Sequence, residues 1–141
     1  MDIAYEDIID FAVSKSNFYL LLNEFDAVIA VPRQSDGSPV YTQTAVIGES
    51  GSSYGQFNNP TAVKTFNGYI FVLDKYNYRV QVFTDTCPPV FCGSFGSFGD
   101  SPGTFNNMLD MEIGIDVNND EMLFVADGAQ VKNISIKHFY Y

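Results

Sequence analysis

Gly55-Gln56-Phe57-Asn58-Asn59 returns 48 residues later as Gly103-Thr104-Phe105-Asn106-Asn107, and Phe71-Val72-Leu73-Asp74 returns after 53 as Phe124-Val125-Ala126-Asp127. Upstream, Tyr19-Leu20-Leu21-Leu22-Asn23 lies over Ile70-Phe71-Val72-Leu73-Asp74 at a spacing of 51, which also sets Ile29 and Val31 over Val80 and Val82. A period near 50 restricts a chain to architectures whose units bury their apolar faces against one another. Three degenerate units, approximately 1–48, 49–97 and 98–141, account for the 141 residues.

Within a unit the signals are strand and turn. In the middle unit, 61–66 is β-branched or apolar, Asn67-Gly68 follows, and 69–74 is apolar again. Asn-Gly between two such runs predicts a hairpin, because a type I′ turn needs positive φ at both central residues. Further strands are expected at 79–83 and 90–95. The first unit predicts strands at 8–13, 18–23, 27–31 and 41–47, with Ser35-Asp36-Gly37-Ser38 as its third turn. The last predicts 111–117, 122–127 and 131–137 and stops short of a full fourth strand. Runs such as Tyr69-Ile70-Phe71-Val72-Leu73 are apolar on both faces, so both faces must be covered. Short four-stranded meanders, covered on both sides and repeated at this period, predict an all-β fold: a β-propeller segment of three antiparallel blades, the last incomplete.

Composition narrows the partners. Apolar residues make up 46% of the chain, enough to fill a core and to exclude disorder as a description of the whole. No apolar run exceeds five residues, far short of the roughly 20 that a membrane-spanning helix needs. The N-terminus, Met1-Asp2-Ile3-Ala4-Tyr5-Glu6-Asp7, is acidic where a secretory signal is basic and then apolar, so neither signal nor transit peptide is expected. Seven Lys and Arg face 17 Asp and Glu, giving a net charge of −10, and no two cations are adjacent. Phosphate neutralisation rewards clustered cations, so nucleic acid and anionic membranes are disfavoured as partners. Cys87 and Cys92 are expected to be free thiols. An extended Cys-Pro-Pro-Val-Phe-Cys segment would hold them roughly 16 Å apart on opposite faces, unless the prolines fold it back.

The middle unit resembles an NHL repeat. The resemblance rests on Gly51, Gly55-Gln56-Phe57-Asn58-Asn59-Pro60, Gly68-Tyr69-Ile70-Phe71-Val72-Leu73-Asp74 and Asn77-Tyr78-Arg79-Val80-Gln81-Val82-Phe83. The last unit matches through Phe95-Gly96-Ser97-Phe98-Gly99, Gly103-Thr104-Phe105 and Phe124-Val125-Ala126-Asp127. It reads Asn133-Ile134-Ser135-Ile136 where Arg79-Val80-Gln81-Val82 would stand. The first unit keeps the apolar strands alone, with Asn23 at the place of Asp74. The resemblance implies a propeller, commonly six-bladed, used as a binding platform. Relatives bind RNA or protein, act as sensor domains, or work as metal-dependent lyases and lactonase-like hydrolases.

Catalysis within these residues is not expected. The one histidine, His138, lies in the C-terminal tail, so neither a metal ligand set nor a nucleophile–base pair assembles around it. Asp116-x-Asn118-x-Asp120 has the spacing of a calcium loop, but Glu121 replaces the expected glycine, and an ordinary hairpin turn is the better reading. Asn133-Ile134-Ser135 spells a glycosylation sequon inside an expected strand. Asp74 and Arg79 are read as structural, Asp74 capping the following turn through its N–H groups and Arg79 bridging to a nearby carboxylate or carbonyl. Lys75, Tyr76, Asn77 and Tyr78 form the loop between the second and third strands, where tyrosine with asparagine suits protein recognition. The alternative is that both rings pack against the neighbouring blade.

The expectation is a non-catalytic protein-interaction or structural scaffold module of NHL-like propeller type within a larger assembly, with no cofactor and no metal. The alternative is a fragment of an NHL-like metal-dependent lyase or hydrolase whose ligands lie outside these residues. The end blades should present apolar faces, the first with some of Ile8, Ile9, Phe11, Leu20 and Leu22, the last with some of Met122, Leu123, Phe124, Ile134 and Ile136. Two copies closing a six-bladed ring, or the remaining blades of a longer chain, would cover them.

Overall fold

The computed structural model describes residues 8–137, and among them every element longer than three residues is a β-strand. The first unit forms β1 (Asp10–Val13), β2 (Asn17–Leu22), β3 (Ala27–Pro32) and β4 (Ala45–Ile47). The second forms β5 (Pro60–Phe66), β6 (Tyr69–Asp74), β7 (Arg79–Thr84) and β8 (Phe91–Phe95). The third forms β9 (Met108–Ile115), β10 (Glu121–Asp127) and β11 (Gln130–Ser135). Each unit is one antiparallel sheet with its strands in chain order, two of four strands and one of three.

Turn chemistry explains where strands meet and stop. Asn67 and Gly68 take φ of 50° and 85°, and Phe66 pairs with Tyr69 across them, as a type I′ hairpin requires. The strand expected at 41–47 begins only at Ala45, because Tyr41–Gln43 makes a 3₁₀ turn. The strand expected at 111–117 runs instead over Met108–Ile115. Asp116 ends it by accepting the Asn118 and Asp120 N–H groups with Oδ1, an Asx turn that competes with the ladder. The strand expected at 131–137 is Gln130–Ser135, and Ile136 instead drops into the core.

Successive residues of β6 pack on opposite neighbours. Ile70 and Val72 meet Tyr19, Leu21, Val28 and Ala30 of the first sheet, while Phe71 and Leu73 meet Met108, Met111, Leu123 and Val125 of the third. That double coverage is why the run is apolar throughout. The same facing corrects the repeat spacing in the first unit. A spacing of 51 sets Tyr19 over Ile70, yet Tyr19 faces the following sheet, as Phe71 does. Backbone and facing agree at 52, where the left-handed residues Asp26 (φ 51°) and Tyr78 (φ 55°) also coincide. A one-residue slip exchanges the faces of a whole strand, so Leu22, and not Asn23, stands at the place of Asp74.

The closest approaches between sheets are at their first strands: β5 lies against β1 on one side and β9 on the other. Val63 donates its N–H to Asp10 Oδ2 at 3.0 Å, Thr65 Oγ1 donates to the Val13 carbonyl at 2.9 Å, and Lys64 faces Glu112 at 3.8 Å.

Candidate functional site

By strand alternation, the β2–β3, β6–β7 and β10–β11 turns share one edge of the sheets with the linkers 48–59 and 96–107. Each linker folds back through a parallel bridge, Ser50 to Phe57 and Phe98 to Phe105. The Gly51 N–H donates to the Phe57 carbonyl and the Gly99 N–H to the Phe105 carbonyl, both at 3.0 Å. Phe57 and Phe105 are fully buried, and each ring lies against a glycine that has no room for a side chain. A Cβ on Gly48 would stand 2.4 Å from Phe57, and one on Gly96 would stand 2.6 Å from Phe105.

A buried carboxylate ties linker to turn in the second unit. Asp74 Oδ1 accepts the Asn58 N–H at 2.7 Å; Oδ2 accepts from Arg79 Nε at 2.8 Å, Asn77 Nδ2 at 2.9 Å and Gln81 Nε2 at 3.1 Å. Arg79 then reaches three linker carbonyls, Ser52 (3.0 Å), Ser53 (2.9 Å) and Gln56 (3.0 Å). Asp74 therefore does not cap the N–H groups of its own turn, Lys75–Asn77, as expected from sequence. Its oxygens are taken by the linker before it and by side chains after it. Both partners are buried, and protein acceptors take four of the five N–H donors of the guanidinium.

The third unit repeats the device with other residues. Asp127 accepts the N–H groups of Asn107 at 2.6 Å and Asn106 at 3.0 Å, and its Oδ2 lies 2.7 Å from Lys132 Nζ. Lys132 also donates to the Thr104 carbonyl at 2.8 Å, as Gln81 Nε2 does to that of Gln56. Register explains the substitution. Gln81 pairs with Val72 and Lys132 with Val125, so Lys132 holds the position of Gln81 and supplies the missing cation from there. Aligning Asn133 with Arg79 concealed this, because the β10–β11 turn has two residues where β6–β7 has four. Burial alone would push the Asp127 carboxyl up; Lys132 and the two N–H donors outweigh it and hold it below its ordinary range.

The loop singled out from sequence divides. Tyr76 projects, 54% exposed, with Lys75 beside its ring at 5.9 Å. Asn77 is held by the Gly51 carbonyl and Asp74, and Tyr78 packs edge-on against Phe98 at 4.9 Å. One ring thus lies against the next unit and the other does not. The same edge displays three aromatics that sequence reasoning missed, Tyr54 at 70%, Phe98 at 65% and Phe25, in the β2–β3 turn, at 46% exposure. Tyr54 is propped by stacking on Phe91 at 4.9 Å and lies 5.9 Å from the Arg79 guanidinium. For Tyr54 and Phe98, their place in the glycine-rich linkers, at the edge shared with Tyr76, was the available signal.

The opposite edge holds a second polar cluster. Asp85 Oδ1 accepts from the Tyr19 hydroxyl, Ser14 Oγ (2.8 Å) and Asn17 Nδ2 (3.1 Å). Burial first, and then Asp85, push the Tyr19 phenol far above its ordinary pKa. At this edge Asp116, Asn118 and Asp120 form the Asx turn described above, with Asp120 Oδ1 also 2.6 Å from Lys137 Nζ. Cys87 and Cys92 are both free and exposed. His138 lies outside the described residues. No protein-family model matches the chain, and no curated protein matches it.

Proposed function

We propose that the chain is a stretch of NHL-like β-propeller acting as a non-catalytic protein-interaction module. The propeller reading is supported by three meanders in chain order, first strands set side by side, and a middle sheet whose two apolar faces are covered by the sheets on either side. Further sheets of the same kind, from a second copy or from the same polypeptide, complete the ring. The observation behind the interaction reading is the display of Tyr54, Tyr76 and Phe98 along one edge whose backbone is locked by buried ion pairs. Rigid aromatic side chains on a fixed backbone offer large contact area at low entropic cost.

The test is site-directed photocrosslinking in an extract of the source cells. A photoreactive phenylalanine at Tyr76 should yield a discrete crosslinked species. The same probe at Val117, fully exposed on the opposite edge, should not. Equal labelling from both positions, or none from Tyr76, would overturn the reading.

A further inference from the structure

The short β10–β11 turn leaves a gap in the third sheet where the second sheet holds a guanidinium. In the second unit Asn77 Nδ2 donates to the Gly51 carbonyl at 2.8 Å and Arg79 Nη1 to that of Ser52 at 3.0 Å. The corresponding carbonyls 48 residues on belong to Gly99 and Asp100, and neither accepts a hydrogen bond among the described residues. Gln130 stands opposite Asp127 where Arg79 stands opposite Asp74, and its side chain is exposed. The result is a polar cleft of about 250 Å³ lined by Asp100, Asn106, Asn107, Asp127, Gln130 and Lys132. Two carboxylates in it face one ammonium group.

We propose that this cleft binds the guanidinium of an arginine side chain presented by a partner protein, in the role that Arg79 plays from within the second unit. A guanidinium is a planar fork of five donors and suits acceptors that lie side by side, here the carbonyl and the carboxylate of Asp100, whose Oδ1 also accepts from Asn106 Nδ2 at 3.2 Å. An incoming lysine offers one compact charge, and Lys132 already fills the ammonium position between Asp127 and Thr104. The net charge of −10 favours the approach of any cationic segment, while the fork geometry selects arginine. The inference rests on the interaction reading for the source of the arginine alone. A free probe therefore tests the cleft separately from the crosslinking at Tyr76.

The experiment is an NMR titration of the full chain with N-acetylarginine methylamide and, in parallel, N-acetyllysine methylamide. The arginine probe should give saturable shifts at the amides of 99–107 and 127–132, with a Kd of about 1 mM for so small a ligand. The lysine probe should bind about tenfold more weakly. Asp100→Asn should weaken arginine binding with the melting temperature unchanged. Gln130→Arg, placing an arginine opposite Asp127, should abolish probe binding and raise the melting temperature. Absence of saturable shifts, equal affinity for the two probes, or binding indifferent to both substitutions would each overturn the proposal.

Discussion

Asp74 and Asp127 show how one side chain can organise an edge of a sheet. Each sits at the end of its strand, is buried, and reaches back to linker N–H groups, so the linker is held by the pairing of its carboxylate. Removing one member of such a pair strands the other in low dielectric. Arg79→Ala should therefore cost about 3 kcal/mol, a fall of roughly 10 °C in melting temperature, because Asp74 and three carbonyls lose their donor together. Thermal unfolding checks this; an unchanged melting temperature would show that the pair contributes nothing net. For Asp127 the sign follows from the depressed pKa. Its contribution is present above the unfolded carboxyl pKa and is lost as the pH falls through the lower folded value. The stability difference between the wild type and Asp127→Asn should hold near neutrality and shrink below roughly pH 4, as read from urea unfolding at stepped pH.

At the scale of elements, the linkers are the repeated parts whose geometry tolerates least change. Gly96 has a φ of 110°, and a Cβ there would lie 2.6 Å from the Phe105 ring and 2.7 Å from the Tyr78 carbonyl. Gly103 also has positive φ, 80°, but open space around it. Gly103→Ala should cost about 1 kcal/mol, the penalty for a left-handed alanine. Gly96→Ala should cost more than about 3 kcal/mol, since Phe105 must leave its place in the core. Equal effects in denaturant titrations would mean that the Phe105 ring moves aside freely.

For the whole molecule, the two end faces differ from those inside. On the first sheet Phe11, Phe18, Leu20, Val31, Pro39 and Tyr41 line an apolar cleft, with Phe11 60% exposed. On the third, Met122 and Phe124 are half-buried, whereas Leu123 and Ile136 are fully buried against the second sheet and Ile134 packs on the same core. Under the proposed ring, the chain as given should self-associate at low micromolar concentration in light scattering, and Phe11→Ser with Tyr41→Ser should shift it toward monomer. A cooperative monomer unaffected by these changes would contradict the ring.

The sequence alone determined the three units, the all-β class, the Asn67-Gly68 hairpin and most strand positions, because these follow from local periodicity and from residues that tolerate positive φ. It also singled out Arg79 as a bridge to a nearby carboxylate or carbonyl, which it is, and Asp74 as a local cap, which it is not. Only the tertiary structure decided which face each strand turns to its neighbour, and with it the spacing of 52 that puts Leu22 at the place of Asp74. It alone revealed that Gln130 stands where Arg79 does in the ladder and that Lys132, two residues further along the strand, supplies the cation. Neither fact is local. A carboxylate chooses its partner by distance across a folded linker, and when a turn loses two residues the charge can move along the strand to a position of the same facing that still reaches it.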